Sequence, residues 1–400
     1  MEFNFGPAPL EIKKFPGWVE EIQCQDDILH VKCSSNWGTL VIGSDDRVYV
    51  SVSDQGFLGG NNAIYRYDPA TDKMEKVFDW IEEFGFPKEA NCAGHGKNHC
   101  RMIESSDHRI YFATSLPDST PPGITWEGGH VLRYDILTER TEDVGVPVPG
   151  ASIHAMWLDE PRQKIWGIVI TGERKPPRRF FGWDMIEKRL EVLLPVQSAE
   201  DCLMDTRGMV YTQRRPGYIL RYNPDENEYR ELRSIPLPND PPADEDPDGP
   251  PFPGKIACPS AHIMKDGRII DAVEGGEVFI FDPSDGEEGS IKVIGPTFAT
   301  GRYDQHQTNL ALSPDEKTLY YSIHRAYLYH PDINKGQAHP EIGHTQNIAK
   351  MDVATGEVTH LGYVDTDPPM IFGTFAVGVA KDGTVYYGLH RPVRLGILRP

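Results

Sequence analysis

A phrase that recurs along the whole chain constrains its fold more than any other feature of the sequence. Each copy consists of a short apolar strand, a polar turn and a second strand with an aromatic or apolar centre. The copies cover residues 39–52, 100–114, 155–169, 202–213, 262–273, 310–323 and 377–389. Because repeated supersecondary units stack side by side to bury a common core, this pattern predicts one repeat architecture and not several unrelated domains.

A second phrase follows most of these copies and supplies two more strands. Examples are AIYRYDPATDKMEKVF at 63–78 and HVLRYDILTERTEDV at 130–144. Short turn sequences such as D-G, R-G, D-D and P-D-E-K suit tight hairpins between the first two strands. Two hairpins in succession make a four-stranded antiparallel sheet. The sequence therefore predicts an all-β protein, a seven-bladed β-propeller of four-stranded antiparallel blades.

The two ends of the chain complement each other in this pattern. The seventh copy runs out after three strands, at RLGILRP, and the N-terminal LEIKKF resembles the missing outer strand. We expect residues 10–15 to pair beside 395–399, which would close the ring and remove an exposed sheet edge. Residues 1–400 are predicted to form a single propeller domain. The acidic, proline-rich segment 235–254 is expected to be a surface loop.

The charge of the chain excludes two classes of partner. The formal net charge is −20, and such a surface repels nucleic acids and anionic membranes. No apolar run is long enough to span a bilayer, and the first residues lack the basic start and apolar run of a signal peptide. We expect a cytoplasmic protein, or a secreted or periplasmic one if a leader has been removed. The 6 cysteines contain no C-x-x-C pair, which favours free thiols over disulfides.

Basic loops are predicted on one face of the propeller. The loops that join the second and third strands of a blade share a face with those that lead into the innermost strands, and such loops usually carry function. Here the second-to-third connections are rich in arginine, at 172–179, 213–218, 324–347 and 390–394. Guanidinium groups bind carboxylates in bidentate fashion, so these loops predict an anionic ligand. The alternative is that the arginines pair with acidic neighbours.

Histidines precede several innermost strands on the same predicted face. His95 and His99 lie in GHGKNHC, His154 in GASIHAM and His306 in YDQHQTN. Alignment of the repeats puts His99 and His154 at similar levels in neighbouring blades, close enough to serve one ligand. A histidine near neutral pH can act as base, acid or metal ligand. The alternative is a structural role in hydrogen bonding between blades.

With seven blades, histidines at the channel mouth and a basic rim, the chain resembles the propeller polysaccharide lyases, a group that includes oligogalacturonate, ulvan and rhamnose–glucuronate lyases. The motifs that carry the resemblance are GHGKNHC, GASIHAM and the loops rich in arginine and tyrosine. The resemblance implies β-elimination at a uronic acid of an acidic oligo- or polysaccharide. A cation neutralises the carboxylate in that reaction, and a base then removes the adjacent proton.

The resemblance implies a role for each candidate residue. His99 and His154 would be base and acid, assisted by Tyr303 or Tyr327. Substrate-binding residues would be Arg215, Arg325 and Arg391, with His95, His306, His324 and His390 as second choices. The segment Gln305-His306-Gln307 does not reproduce the manganese-site spacing of oligogalacturonate lyases. The metal is therefore unassigned, and calcium or manganese in the central channel is left open.

Two other classes of function fit the same sequence. A metal-dependent propeller hydrolase or lactonase would hold a metal with acidic and asparagine side chains, for which Asp201, Asn36 and Asn309 are available. A non-catalytic propeller would bind a glycan or a protein on the same rim. The motifs G-x-S-x-G, H-E-x-x-H and Walker A are absent, which disfavours serine hydrolase and nucleotide chemistry.

Overall fold

The computed structural model describes most of the chain. The described residues are 6–18, 34–37, 40–54, 58, 60–87, 89, 91–116, 123–171, 178–196, 201–215, 217–238, 261–273, 276–297, 309–324, 346–367 and 372–400. They form seven antiparallel sheets arranged as a seven-bladed β-propeller, as predicted. The described residues contain one α-helix, α1 (Trp80–Phe84), and no helix long and apolar enough to cross a membrane.

Residues Ile12–Pro195 and Tyr387–Gly396 form one compact unit, which is built on three sheets. After β1 (Glu11–Lys13), the strands of the first sheet are β2 (Ser34–Ser35), β3 (Leu40–Ile42), β4 (Val48–Asp54), β5 (Asn61–Asp68) and β6 (Lys73–Asp79). Those of the second are β7 (Ile103–Glu104), β8 (Arg109–Ala113), β9 (Val131–Asp135) and β10 (Arg140–Gly145). Those of the third are β11 (Ala151–Asp159), β12 (Lys164–Thr171), β13 (Arg178–Asp184) and β14 (Arg189–Val196). In the first sheet, β2 and β3 pair with successive parts of β4.

Residues Met1–Glu11, Val196–Tyr386 and Ile397–Pro400 form the other compact unit, also built on three sheets. The strands of the fourth sheet are β15 (Leu203–Met204), β16 (Val210–Arg215), β17 (Tyr218–Asn223) and β18 (Glu228–Glu231). Those of the fifth are β19 (His262–Ile263), β20 (Ile269–Ala272), β21 (Glu277–Asp282) and β22 (Ser290–Pro296). Those of the sixth are β23 (Leu310–Leu312), β24 (Thr318–His324), β25 (Gln346–Asp352) and β26 (Val358–Tyr363).

The seventh sheet combines the two ends of the chain, which confirms the predicted closure. Its strands are β27 (Phe372–Val379), β28 (Val385–Arg391) and β29 (Arg394–Leu398), and β1 pairs with β29 as the outer strand. The short segment Pro392–Val393 joins β28 to β29. The basic stretch 390–394, predicted to be a long loop, is therefore strand and tight turn. That these blades make up a single domain, with 235–254 as a surface loop, stays a prediction, and residues 239–260 lie outside the described part.

One turn is repeated in all seven sheets and explains the polar turn of the sequence phrase. Between the first two strands of each sheet, one residue has a positive φ of 53–88°: Asp46, His108, Gln163, Gly208, Gly267, Glu316 and Gly383. Its amide donates to the carbonyl three residues earlier, as from Gly267 to Met264. A turn followed by a left-handed residue matches the twist of a hairpin, which is why D-G and R-G occur here.

A second turn, between the third and fourth strands, depends on one acidic or amide side chain. The Asp135 carboxylate accepts hydrogen bonds from the backbone N–H groups of Leu137 and Thr138, at 2.9 and 2.8 Å. The bond from Thr138 is the main cause of the lowered pKa of Asp135. Equivalent bonds form at Asp68, Asp184, Asn223, Asp282 and Asp352. The Asp or Asn that recurs at the end of the third strand therefore fixes this turn locally.

Apolar side chains fill the space between neighbouring sheets of each unit. In the first and second sheets, Tyr49, Ile64, Phe112 and Leu132 belong to one buried cluster. Another cluster joins the second sheet to the third and includes Trp183. The second sheet is covered on both faces in this way, so its strand β8 (Arg109–Ala113) reads as a mostly apolar run without strict alternation.

The residues that follow β1 anchor the N-terminal strand. Phe15 is 6% exposed and packs on Tyr65, with ring centroids 5.0 Å apart. We expect Phe15→Ala to lower the free energy of unfolding by about 3 kcal/mol or more, because a buried aromatic ring is lost. Phe86 is 62% exposed, so Phe86→Ala should change it by less than about 0.5 kcal/mol. Urea unfolding of both variants measures the difference, and equal stabilities would contradict the anchoring role.

Candidate functional site

The loop that leads into β7 brings three basic or titratable side chains into the interior of the unit that contains Ile12–Pro195. His95, Lys97 and His99 are all buried, and Lys97 is only 1% exposed. The loop is held by backbone contacts: Asn62 donates to the His95 carbonyl at 2.8 Å, and the Ser115 amide donates to the Lys97 carbonyl at 2.7 Å. The segment around these three residues, 93–100, is buried throughout.

The glycine before His95 is required by a close backbone approach. A Cβ atom on Gly94 would lie 2.5 Å from the carbonyl oxygen of Gly60. Only a residue without a side chain lets the loop approach the first sheet so closely. The position of His95 thus depends on Gly94.

His99 and His154 are in direct contact. Their rings stack with centroids 3.5 Å apart and an interplanar angle of 22°. His154 lies at a register shift in β11, between Ile153 and Ala155, and such a bulge redirects a side chain. His99 Nδ1 lies 3.0 Å from the His154 carbonyl oxygen. Because a carbonyl only accepts, Nδ1 carries the proton, and Nε2 is the basic nitrogen of neutral His99.

Three further side chains surround this pair. The Trp37 ring stacks on His99 at 5.7 Å and meets the edge of His390 at 4.5 Å. Lys97 Nζ lies 4.1 Å from the Trp37 ring centroid, a cation–π distance. His390 Nδ1 donates to the Asn36 carbonyl at 2.5 Å. We call Trp37, Lys97, His99, His154 and His390 the histidine cluster.

A second group of titratable side chains lies on the same unit. His95 Nε2 is 3.0 Å and His130 Nε2 is 3.3 Å from Glu127 Oε1. The ligand atoms of these three residues all lie within 4.8 Å of one another, so they could hold a metal ion. His95 Nδ1 contacts Thr114 Oγ1 at 2.9 Å, and His130 Nδ1 contacts Asp143 Oδ2 at 2.8 Å.

The surroundings of His95, Glu127 and His130 shift the pKa values of these side chains in different directions. Burial lowers the pKa of His95 to about 4. The hydrogen bond from His95 lowers the pKa of Glu127 to about 2. Burial opposes a charge on His130, but the hydrogen bond to Asp143 and the nearby carboxylates outweigh it and raise the pKa. At neutral pH, His95 is therefore neutral and Glu127 ionised.

The structure places the predicted site residues in different parts of the chain's fold, and some of them lie outside its described part. His99, His154 and His390 come together in the histidine cluster, whereas His95 belongs to the second group. Arg391 lies at the end of β28, where burial lowers its pKa to about 10, so it stays charged at neutral pH. Arg215 and His324 end β16 and β24, and their side chains are outside the described part. Tyr303, Tyr327, Arg325 and His306 lie outside the described residues.

The contact between His99 and His154 refines the prediction in one respect. Rings stacked at 3.5 Å leave no space for a substrate atom between them. Both side chains are also buried, whereas the sequence led us to expect a more open position. A ligand of both histidines would therefore lie at the edge of the stack. Their catalytic role stays a prediction.

The structure also describes the surroundings of the three residues that the sequence offered as calcium ligands. Asn36 Nδ2 donates to the Ser51 carbonyl at 2.8 Å, and the Asp201 carboxylate accepts from the Cys202 amide at 2.8 Å. Asn309 is buried. None of the three belongs to a metal-binding group of histidine, cysteine and carboxylate ligands among the described residues. Their use as calcium ligands stays a prediction.

Four residues of the site were missed in the sequence: Trp37, Lys97, Glu127 and His130. The alternation of His95, Lys97 and His99 in an extended segment could have indicated that Lys97 shares their side of the chain. GGH at 128–130, directly before a Y-D phrase, could have drawn attention to His130.

Comparisons with known proteins support the fold and leave the family open. No protein-family model and no curated protein matches the chain. Among solved structures, hydrazine synthase of Kuenenia stuttgartiensis is similar at a TM-score of 0.53 and 12% identity, over 96% of this chain and 99% of that one. The periplasmic gluconolactonase PpgL of Pseudomonas aeruginosa is similar at 0.51 and 15%, over 90% and 96%. A chain of the mitotic checkpoint complex is similar at 0.52 and 11%, over 100% and 93%.

These similarities define the chain as a β-propeller and go no further. At 11–15% identity, they establish shared architecture but no shared chemistry. None of the three is a polysaccharide lyase, so the predicted lyase activity stays a prediction.

The close approach at Gly94 gives a test of the site architecture. We expect Gly94→Ala to lower the free energy of unfolding by about 1–3 kcal/mol, because the new methyl group meets backbone that cannot yield cheaply. At Gly6 a Cβ would meet nothing within 4 Å, so Gly6→Ala should change it by less than about 0.5 kcal/mol. Urea unfolding compares the two. A Gly94→Ala protein as stable as the wild type would show that the loop is not fixed by this contact.

Proposed function

We propose that the chain is an enzyme that hydrolyses a lactone or ester of a sugar acid by acid–base chemistry at the histidine cluster. The observation that carries this proposal is the contact between His99 and His154 beside the buried Lys97. Two imidazoles and an ammonium group in one desolvated place are suited to a reaction in which a proton moves and an oxygen gains negative charge.

His99 is suited to the role of base. Its Nδ1–H is held by the His154 carbonyl, so Nε2 can take a proton from water as the water oxygen attacks the carbonyl carbon. The bond from that carbon to the alkoxy oxygen then breaks. The leaving oxygen receives a proton from the imidazolium form of His154, and the products are a carboxylic acid and an alcohol. The proton taken up by His99 then passes to His154, which restores both rings. A positioned base or acid of this kind typically contributes about 10²–10⁴-fold in rate.

Lys97 is suited to stabilising the negative charge that develops. Its ammonium group is almost fully removed from water and lies over Trp37. Charge interactions are stronger in such a low-dielectric place than at the surface. The half-buried, charged Arg391, which follows His390 in β28, adds positive potential for an acidic substrate. An acidic product or substrate group therefore suits the cluster better than a neutral sugar.

The fold gives one reason to favour hydrolysis over elimination. The fold is shared with a periplasmic gluconolactonase, which indicates that this scaffold can support lactone opening. That likeness is one of fold alone. It makes a hydrolase the preferred class of function for this chain, but it assigns no substrate.

Elimination at a uronic acid is the second candidate, favoured by the same two histidines. In that reaction, His99 would remove the proton next to the carboxylate, Lys97 or Arg391 would neutralise the carboxylate, and His154 would protonate the leaving glycosidic oxygen. Both reactions place negative charge on oxygens of a carboxyl-derived group. They differ in their products, since only elimination forms a carbon–carbon double bond.

A substrate screen separates these candidates. We expect the purified protein to release acid from aldonolactones or sugar esters in a pH-stat assay, with no rise in the ultraviolet band of unsaturated uronates. Such a rise on an acidic polysaccharide, without acid release from lactones, would overturn the hydrolase in favour of the lyase. Inactivity on both substrate classes would point to a binding propeller.

Variants test the assignment of the histidines once a substrate is found. His99→Asn keeps an N–H near the position of Nδ1 but loses Nε2, so we expect kcat to fall by about 100-fold or more with little loss of stability. His154→Ala should lower kcat similarly. His108 is exposed, and His108→Ala should leave kcat unchanged. Turnover and Tm measured on the same samples decide: full activity in both cluster variants would sink the assignment.

A further inference from the structure

We propose that His95, Glu127 and His130 bind one divalent transition-metal ion of the zinc class, in a three-ligand site that keeps an open coordination position. This site is distinct from the histidine cluster and does not depend on the proposed hydrolysis. The argument rests on the geometry of the three ligand atoms and on the partners that orient them.

The spacing of the ligand atoms is close to that of a tetrahedral site. Ligands about 2.0–2.1 Å from zinc stand roughly 3.3 Å from one another in a tetrahedron. Glu127 Oε1 is 3.0 Å from His95 Nε2 and 3.3 Å from His130 Nε2. All three atoms fit within 4.8 Å. Small rotations of the side chains would bring them to coordination distance without a change in the backbone.

Each histidine is oriented through its other ring nitrogen, as metal-binding histidines usually are. His130 Nδ1 lies 2.8 Å from Asp143 Oδ2, and since a carboxylate only accepts, Nδ1 carries the proton and Nε2 faces Glu127. His95 Nδ1 lies 2.9 Å from the Thr114 hydroxyl oxygen, which already accepts from the His130 amide. When a metal takes the place of the Nε2 proton, the proton of neutral His95 moves to Nδ1, which can then donate to Thr114. A carboxylate–histidine pair of this kind fixes the ring and raises its basicity as a ligand.

Aromatic packing holds the two rings in place. His95 stacks on Trp80 with centroids 3.8 Å apart and packs on Trp126 at 4.5 Å. The edge of His130 meets Trp80 at 5.1 Å. The Glu127 side chain is 56% exposed, so the third ligand lies at the solvent side. The apolar wall and the open side together resemble a site with three protein ligands and one water.

The ligand set selects the class of metal. Two imidazole nitrogens and one carboxylate suit zinc, and also copper, nickel and cobalt. Calcium and magnesium prefer oxygen ligands throughout, and six or more of them for calcium. This group therefore does not suit the calcium considered from the sequence.

Binding of the metal alone tests the site. Chelator-treated protein titrated with zinc chloride in a calorimeter should take up one strongly bound ion per chain, whereas calcium chloride should give no comparable heat. Cobalt(II) should produce the visible absorption of a tetrahedral complex. A wild-type protein that takes up no zinc overturns the proposal.

Variants assign the ion to these residues. We expect Glu127→Gln, at an exposed position that should not disturb folding, and His130→Ala to weaken zinc binding by at least about 100-fold. Asp143→Asn should weaken it about 10–100-fold through His130. The pair Glu104 and His108, 3.6 Å apart with side chains 15% and 46% exposed, supplies the control, and Glu104→Gln should bind zinc like the wild type. Unchanged affinity in Glu127→Gln and His130→Ala would place the ion elsewhere. Because the readout is binding, a failed substrate screen leaves this result unaffected.

Discussion

Apolar packing between neighbouring sheets positions everything else in the chain. The cluster that includes Ile64 and Phe112 joins the first sheet to the second, and the cluster that includes Trp183 joins the second to the third. Burial of such surfaces is the main favourable term in folding. It holds the second sheet between two others, and the loop that leads into that sheet is consequently drawn inward. A lysine and two histidines are buried there as a result of the packing around them.

The loop at 94–99 supplies residues to two different groups of titratable side chains. His95 is directed towards Glu127 and His130, and burial keeps it neutral at ordinary pH. His99, four positions later, stacks on a histidine from another sheet. Because the whole segment 93–100 is buried, side chains at its two ends meet different partners within the same unit. One short segment thus contributes to two sites, and each can be altered with limited effect on the other.

Much of the fold could be predicted from the sequence because its determinants are local. Turn residues such as Gly267 and Asp135 act on their own backbone, and they recur with each sheet. The position of His99 and His154 followed from the repeat, since equivalent levels in neighbouring blades are adjacent. The group of His95, Glu127 and His130 could not be predicted in this way. Its contacts join residues 32 and 35 positions apart, across a loop whose path depends on tertiary packing. The bulge at His154 and the tight connection after Arg391 could not be predicted either, because neither has a local sequence signature.

The pairing of the two chain ends sets a requirement on the order of synthesis. Glu11 and Arg399, 388 residues apart, form a hydrogen-bonded ion pair at 3.0 Å. At about 5–20 residues per second, a ribosome needs roughly 20–80 s to make the intervening chain. Throughout that time β1 has no partner strand. Strand β1 is therefore incorporated only after β29 has been made, and its short, charged sequence around Glu11 and Lys13 suits a segment that stays exposed to water until then without aggregating.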